Sequence, residues 1–158
     1  MQITVIDHKN PSQAGEMRRL FFNAYRQEAQ LLGLAEADFF PLGRTSAHIQ
    51  AADAVFLGCF LENKLVALTE IETEGPQQIN IGSFVVAPEM FRKGIGTALL
   101  KEILARYPGY SLKVSTAKKN LPAIGLYEKH GFVVQQTWHT PDGIEMVTLS
   151  LMKKEIKR

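Results

Sequence analysis

Residues 85–100 read VVAPEMFRKGIGTALL. An apolar run ends at Val86, and Pro88 follows almost at once, which stops a strand. Arg92 and Lys93 lead into Gly94-Ile95-Gly96. From Gly96 onward Leu99, Leu100, Ile103 and Leu104 recur at helical spacing, and Pro108-Gly109 ends the pattern after Tyr107. The stretch is therefore strand, basic turn, helix. The first N–H groups of a helix have no internal partners and, with the helix dipole, form an anion site. Glycines there let the backbone close on a phosphate with no Cβ in the way.

Two familiar phosphate loops do not match. A dinucleotide fingerprint needs a third glycine where Leu99 stands, and an acidic residue about 20 positions later, where the chain reads Leu112-Lys113-Val114-Ser115. A nucleoside-triphosphate loop needs Gly-Lys-Ser/Thr, which is absent. A third reading is a coenzyme A pyrophosphate, and a generic strand-turn-helix whose loop binds nothing stays open beside it.

Working outward, Met1–Asp7 reads as a strand, and Pro11-Ser12 opens a helix with Ser12 as N-cap. Ala14, Met17, Leu20, Phe21, Ala24 and Tyr25 form its apolar face, and Gly33 closes it. Leu34–Pro41 is apolar but broken, and a short helix follows over Thr45–Ala52. Ala54–Leu61 is apolar throughout, the pattern of a strand covered on both faces. Strands at Leu65–Glu72 and Gln78–Val86 follow, separated by turns at Glu62-Asn63-Lys64 and Glu74-Gly75-Pro76. After the Gly96 helix come a strand over Tyr110–Ser115, a helix from Pro122 to about His130, and a hairpin of Phe132–Trp138 with Ile144–Met152. Helices and one mixed sheet interleave, so the class is α/β or α+β.

The chain has 158 residues, of which 46% are hydrophobic and 22% charged, the profile of a single folded domain spanning 1–158. A net charge of +2 supplies no case for a nucleic-acid or membrane surface. The longest apolar run, Ala54–Leu61, is far too short to span a bilayer. The single cysteine, Cys59, excludes an internal disulfide and accords with a cytoplasmic location. Histidines at 8, 48, 130 and 139 show no metal-ligand spacing, so no metal is expected.

Residues 85–100 resemble the central motif of the GNAT superfamily of N-acetyltransferases: apolar strand, Val-x-Pro, basic loop, G-x-G, apolar helix. NLPAIGLYEKHGF, Asn120–Phe132, resembles the family's second motif, in which Asn, Ala, Tyr and Gly-Phe recur at these spacings. The element order is similar across nearly the whole chain. The resemblance implies a mixed sheet of about six to seven strands, about four flanking helices, and a splayed strand pair at the acyl-CoA site. In the family the residue three before the first glycine is usually Arg or Gln; here it is Phe91. That removes a polar side-chain contact and leaves Arg92 and Lys93 as charge partners for the phosphates.

The resemblance further implies acetyl-CoA as cosubstrate. Its pyrophosphate would lie on Gly94, Ile95, Gly96 and Thr97, and its pantetheine arm along Phe84, Val85 and Val86, with Asn120 as a side-chain partner. Asn120 equally suits a helix cap. Tyr127 is the expected proton donor to the departing thiolate, since a phenol of pKa about 10 faces a thiol of about 8.5. Cys59 lies in an apolar run with no base beside it, so direct attack by an amine is expected over a covalent intermediate. Glu70 and Glu72 face one side of their strand and are candidate bases, with Asn80 and Ser83 on the next strand placed to position water. Lys118-Lys119 could reach the ribose phosphate. The acceptor, a small amine or a peptide or protein amine, would be bounded by the first two helices, Leu31–Leu42 and the terminal hairpin. A homodimer through sheet edges is open, and the competing assignment is a non-catalytic acyl-CoA-binding module.

Overall fold

The computed structural model describes residues 1–36 and 39–152. Part of Leu31–Leu42 and the basic stretch 153–158 therefore lie outside the described residues. Seven strands, β1 (Gln2–Val5), β2 (Val55–Leu61), β3 (Lys64–Gly75), β4 (Gln78–Val86), β5 (Ser111–Ala117), β6 (Val133–His139) and β7 (Glu145–Leu151), form one sheet in the order β1-β2-β3-β4-β5-β7-β6. Every pairing is antiparallel except β4–β5, which is parallel. Four helices flank it: α1 (Pro11–Leu32), α2 (Ser46–Ala51), α3 (Ile95–Arg106) and α4 (Leu121–Lys129). The fold is a single-domain α/β arrangement with a mixed sheet.

The sheet separates two cores. On one face Met17, Leu20 and Phe21 of α1 and Ile49 of α2 pack on Phe56, Leu68 and Val85. On the other, Leu99, Leu100 and Ile103 of α3 and Tyr127 of α4 pack on Ile71, Ile79, Ile81, Val114 and Leu149. Each large apolar side chain so buried contributes about 2 kcal/mol. β2 is covered on both faces, as its unbroken apolar run requires: Phe56, Leu57 and Cys59 are buried, and a Cβ at Gly58 would collide with Ile6 and Leu65.

The cap of α1 differs from expectation. Asn10, not Ser12, is the N-cap, because Pro11 takes the first helical position and the Asn10 Oδ1 accepts from the N–H groups of Ser12 (2.9 Å) and Gln13 (3.2 Å). Thr45 caps α2 through a reciprocal box with His48. Between β2 and β3, Glu62 (φ 49°) and Asn63 (φ 64°) form a tight two-residue turn with both residues left-handed. β3 runs on to Gly75, beyond the expected Glu72, so the turn moves to Pro76-Gln77.

Candidate active site

β4 and β5 pair over Gln78–Ile81 and Ser111–Val114 and then part. Past Ile81, β4 stays with β3, while β5 continues to Ala117 against β7. The register of β3 against β4 slips between Glu70/Ile71, leaving Gly82 as an extra residue, a bulge that bends β4 away where the gap opens. Gly82 has a local reason to lack a side chain: its Cβ position is filled by the Glu72 carboxylate.

The gap is the bottom of a cleft of about 610 Å³. Tyr127, Asn120 and Ala123 of α4 line one side of it, and Tyr25 and Glu28 of α1 the other. Phe39, Pro41 and the β6–β7 turn residues Thr140–Asp142 form its rim. A second hollow of about 600 Å³ adjoins it through the shared residues Tyr25, Pro41, Gly82 and Ser83, and reaches Arg44, His48 and Glu70. The cleft thus passes from the α3/α4 face of the sheet to the α1/α2 face.

Just past β4 the N–H of Ala87 donates to the carbonyl of Val66 on β3 at 2.8 Å. Strand alternation then turns the peptide groups of Phe84 and Val86 toward the gap and those of Val85 toward β3. Val85 is therefore a correction to the expected main-chain set. Its side chain, 5% exposed, belongs to the core under α1. Phe84 lines the cleft, edge-on to Tyr127 with ring centroids 5.9 Å apart.

The loop before α3 leaves its helix N-terminus open. Gly94, at φ 77°, is the N-cap, and no side chain caps the helix, so the N–H groups of Ile95, Gly96 and Thr97 have no helical partner. Arg92 is also left-handed (φ 63°), which costs a non-glycine residue about 1–2 kcal/mol. Left-handed residues at 92 and 94, with Lys93 of negative φ between them, turn successive N–H groups into one concavity. The two glycines differ in purpose. Gly94 supplies the conformation, whereas a Cβ at Gly96 would meet Leu126, Phe84 and Val86 at 3.5–3.8 Å, ordinary contact. Arg92 and Lys93 are exposed and make no ion pair among the described residues. Phe91 is 48% exposed at the edge of this loop.

Of the two tasks expected of Asn120, the helix cap is present. Its Oδ1 caps α4 by accepting from the Ala123 N–H at 3.4 Å, and its Nδ2 donates to Glu28 Oε1 at 3.4 Å across the cleft. Tyr127 is 3% exposed, and burial pushes its phenol well above the ordinary value. Burial likewise pushes Tyr25 up to about 12. Glu28 is raised by burial, against a smaller lowering by the Asn120 amide.

Glu70 and Glu72 do share a face, but Glu70 does not stand free. Arg44 Nη1 and Nη2 donate to its two oxygens at 2.7 and 3.0 Å, and Ser83 Oγ donates at 2.9 Å. Abstraction of a proton by Glu70 would disrupt that pair, which argues against its candidacy as a base. The Arg44 guanidinium is itself laid over the rings of Phe21 (5.1 Å) and Phe56 (5.7 Å). Lys118 is taken up by Glu145 at 2.6 Å, and Trp138 donates to Thr148 Oγ1 at 3.0 Å within the hairpin. Cys59 is buried in β2, where desolvation raises its thiol, and is no part of the cleft. Among the described residues no group of three or more His, Cys, Asp or Glu is placed to hold a metal, and no helix is long and apolar enough to cross a membrane.

Residues 14–132 match the family model described as Acetyltransferase (GNAT) family. The chain is 30% identical over 154 residues to the UPF0157 protein YqkA of Bacillus subtilis (strain 168), covering 96% of this chain and 44% of that protein. It is 39% identical over 59 residues to the peptidyl-lysine N-acetyltransferase YiaC of Escherichia coli (strain K12), covering 37% of this chain and 39% of that one. The matched stretches thus span less than half of either relative's own length. Among solved structures it is similar to the PaiA N-acetyltransferase of Thermoplasma acidophilum in complex with coenzyme A, with a TM-score of 0.74 at 16% identity, over 98% of this chain and 100% of that one. That likeness speaks for the fold. With the parted strands, the anion loop and a family match over most of its length, the chain belongs to the GNAT family of acetyltransferases.

Proposed function

We propose that the chain transfers the acetyl group of acetyl-CoA to a primary amine, by direct attack while both are bound. The parting of β4 from β5 carries this assignment, because it offers main-chain groups of Phe84 and Val86 to an extended, amide-bearing ligand. The pantetheine arm of acetyl-CoA is such a ligand, and the pyrophosphate belongs on the N–H groups of Arg92–Thr97 with Arg92 and Lys93 as counter-charges. A main-chain N–H at the gap then faces the thioester oxygen and stabilises the oxyanion formed on attack. The amine nitrogen bonds to the carbonyl carbon, the C–S bond breaks, and the sulfur leaves with the electron pair. The proton shed by the amine nitrogen balances the one gained by the sulfur.

Tyr127 donates a hydrogen bond to that sulfur. Its raised pKa keeps it a phenol throughout the neutral range, ready to donate, with full proton transfer completed from the amine's side. Glu72, beside the bulge at Gly82, adds negative charge at the acceptor side. The likeness to a peptidyl-lysine N-acetyltransferase supports amine chemistry of this kind. The test is release of free coenzyme A over a panel of alkylamines, amino-acid derivatives and lysine peptides. Amine-dependent release is expected. Acetyl-CoA binding with no release on any member would instead mark a non-catalytic acyl-CoA-binding module.

A further inference from the structure

Glu28 is a carboxylate on the apolar stripe of α1, in register with Phe21, Tyr25 and Leu32 at helical spacing. It lines the cleft at the gap, within hydrogen-bond reach of Asn120 and close enough to Tyr127 for its charge to act on that phenol. Among the described residues Asn120 is its one side-chain hydrogen-bond partner, and no lysine, arginine or histidine lines this cleft. The groups facing it are Tyr25 on α1, Tyr127 on α4 and Asp142 at the β6–β7 turn. The Arg44–Glu70 pair lies beyond, in the adjoining hollow. A cleft lined by two carboxylates and no cation, walled by Leu32, Phe39, Pro41, Ile144 and Met146, suits an ammonium on an apolar carrier.

Resting on the acetyl-transfer assignment above, we propose that Glu28 receives the acceptor's ammonium group and takes its proton, and that the acceptor is an alkylamine that enters charged from the α1 side. An alkylamine has a pKa of about 10.4 and is protonated at neutral pH, so it must lose a proton before its lone pair can attack. The proton passes from R–NH3⁺ to the Glu28 carboxylate and leaves the amine free to bond to the thioester carbon. The second amine proton passes to the departing sulfur, which leaves as the thiol of coenzyme A, and Glu28 returns its proton to solvent. Burial, which raises Glu28, makes it a better acceptor of that proton than an exposed carboxylate. Glu70 cannot fill this place while Arg44 and Ser83 hold it.

The experiment is the pH profile of kcat/KM for Glu28→Gln with an alkylamine that the wild type acetylates. Gln keeps the hydrogen bond from Asn120 and removes the base. At neutral pH the variant should lose about 10²-fold or more, with acetyl-CoA affinity unchanged. The deficit should shrink as pH rises toward the amine's own pKa, and Glu28→Asp should recover part of it. Folding gives a separate readout. A carboxyl raised in the folded state makes the wild type relatively more stable at low pH, and that advantage is lost as pH climbs from the ordinary value of about 4.3 through the raised one. Glu28→Gln should therefore gain Tm relative to the wild type near pH 8 and none near pH 4. A variant with the wild-type profile and kcat/KM within about twofold overturns the proposal and leaves the acetyl-transfer assignment standing. Absence of turnover by the wild type on every amine overturns both.

Discussion

Tyr127→Phe will lower kcat by about 10²-fold or more while acetyl-CoA affinity stays within about twofold. The substitution removes one oxygen and leaves the ring edge-on to Phe84 and 5.6 Å from Phe132, so the packing around it persists. Stability should accordingly change by no more than about 1 kcal/mol. What disappears is a hydrogen-bond donor in a buried cleft, where such donors act more strongly on developing charge than they do in water. The interaction exists only once the sulfur carries charge, so the loss belongs in kcat and not in binding. Steady-state rates with a good amine, set beside acetyl-CoA binding to the same variant, separate the two. An unchanged kcat removes Tyr127 from the chemistry.

Arg44→Ala should be the most destabilising single change at the site. It strips both oxygens of Glu70 of their guanidinium partner, in a pair whose side chains are 22% and 10% exposed, and it uncovers the rings of Phe21 and Phe56. Removing one member of a buried pair strands the other, and the effect is about 3 kcal/mol, or roughly 6–12 °C in Tm for a chain of this size. Glu70 would then keep only the Ser83 hydroxyl. Replacing both partners together, as Arg44→Met with Glu70→Leu, should recover most of the loss, because no charge is left buried and unpaired. Urea unfolding of the three variants tests this. A loss below about 1 kcal/mol for Arg44→Ala would place the pair with solvent-screened surface bridges and contradict its role as a brace of the adjoining hollow.

Most of the framework was legible because it rests on local chemistry. Pro88, Gly94 and the spacing of Leu99, Leu100 and Ile103 define strand, loop and helix without reference to anything distant. The resemblance of Asn120–Phe132 added the second wall of the cleft. What escaped depends on which backbone groups meet across the sheet. Val85 was grouped with Phe84 and Val86 because alternation along a strand does not say which neighbour it faces; the Ala87–Val66 bond does. The bulge at Gly82 has a weak local signal, a glycine inside a strand, but the Glu72 side chain that leaves no room for a Cβ there lies on the neighbouring strand. Arg44 sits between a short turn and α2, where nothing local announces its reach to Glu70. Glu28 carries a readable signal. It is a charge on the apolar stripe of α1, and such a charge needs a partner or a purpose.

The structure of the chain with acetyl-CoA bound tests the central claim most directly. The pantetheine arm should pair with the peptide groups of Phe84 and Val86, the pyrophosphate should sit on residues 92–97, and the sulfur should lie within about 3.5 Å of the Tyr127 oxygen. A cofactor seated outside the β4–β5 gap, or a sulfur turned away from Tyr127, would contradict it.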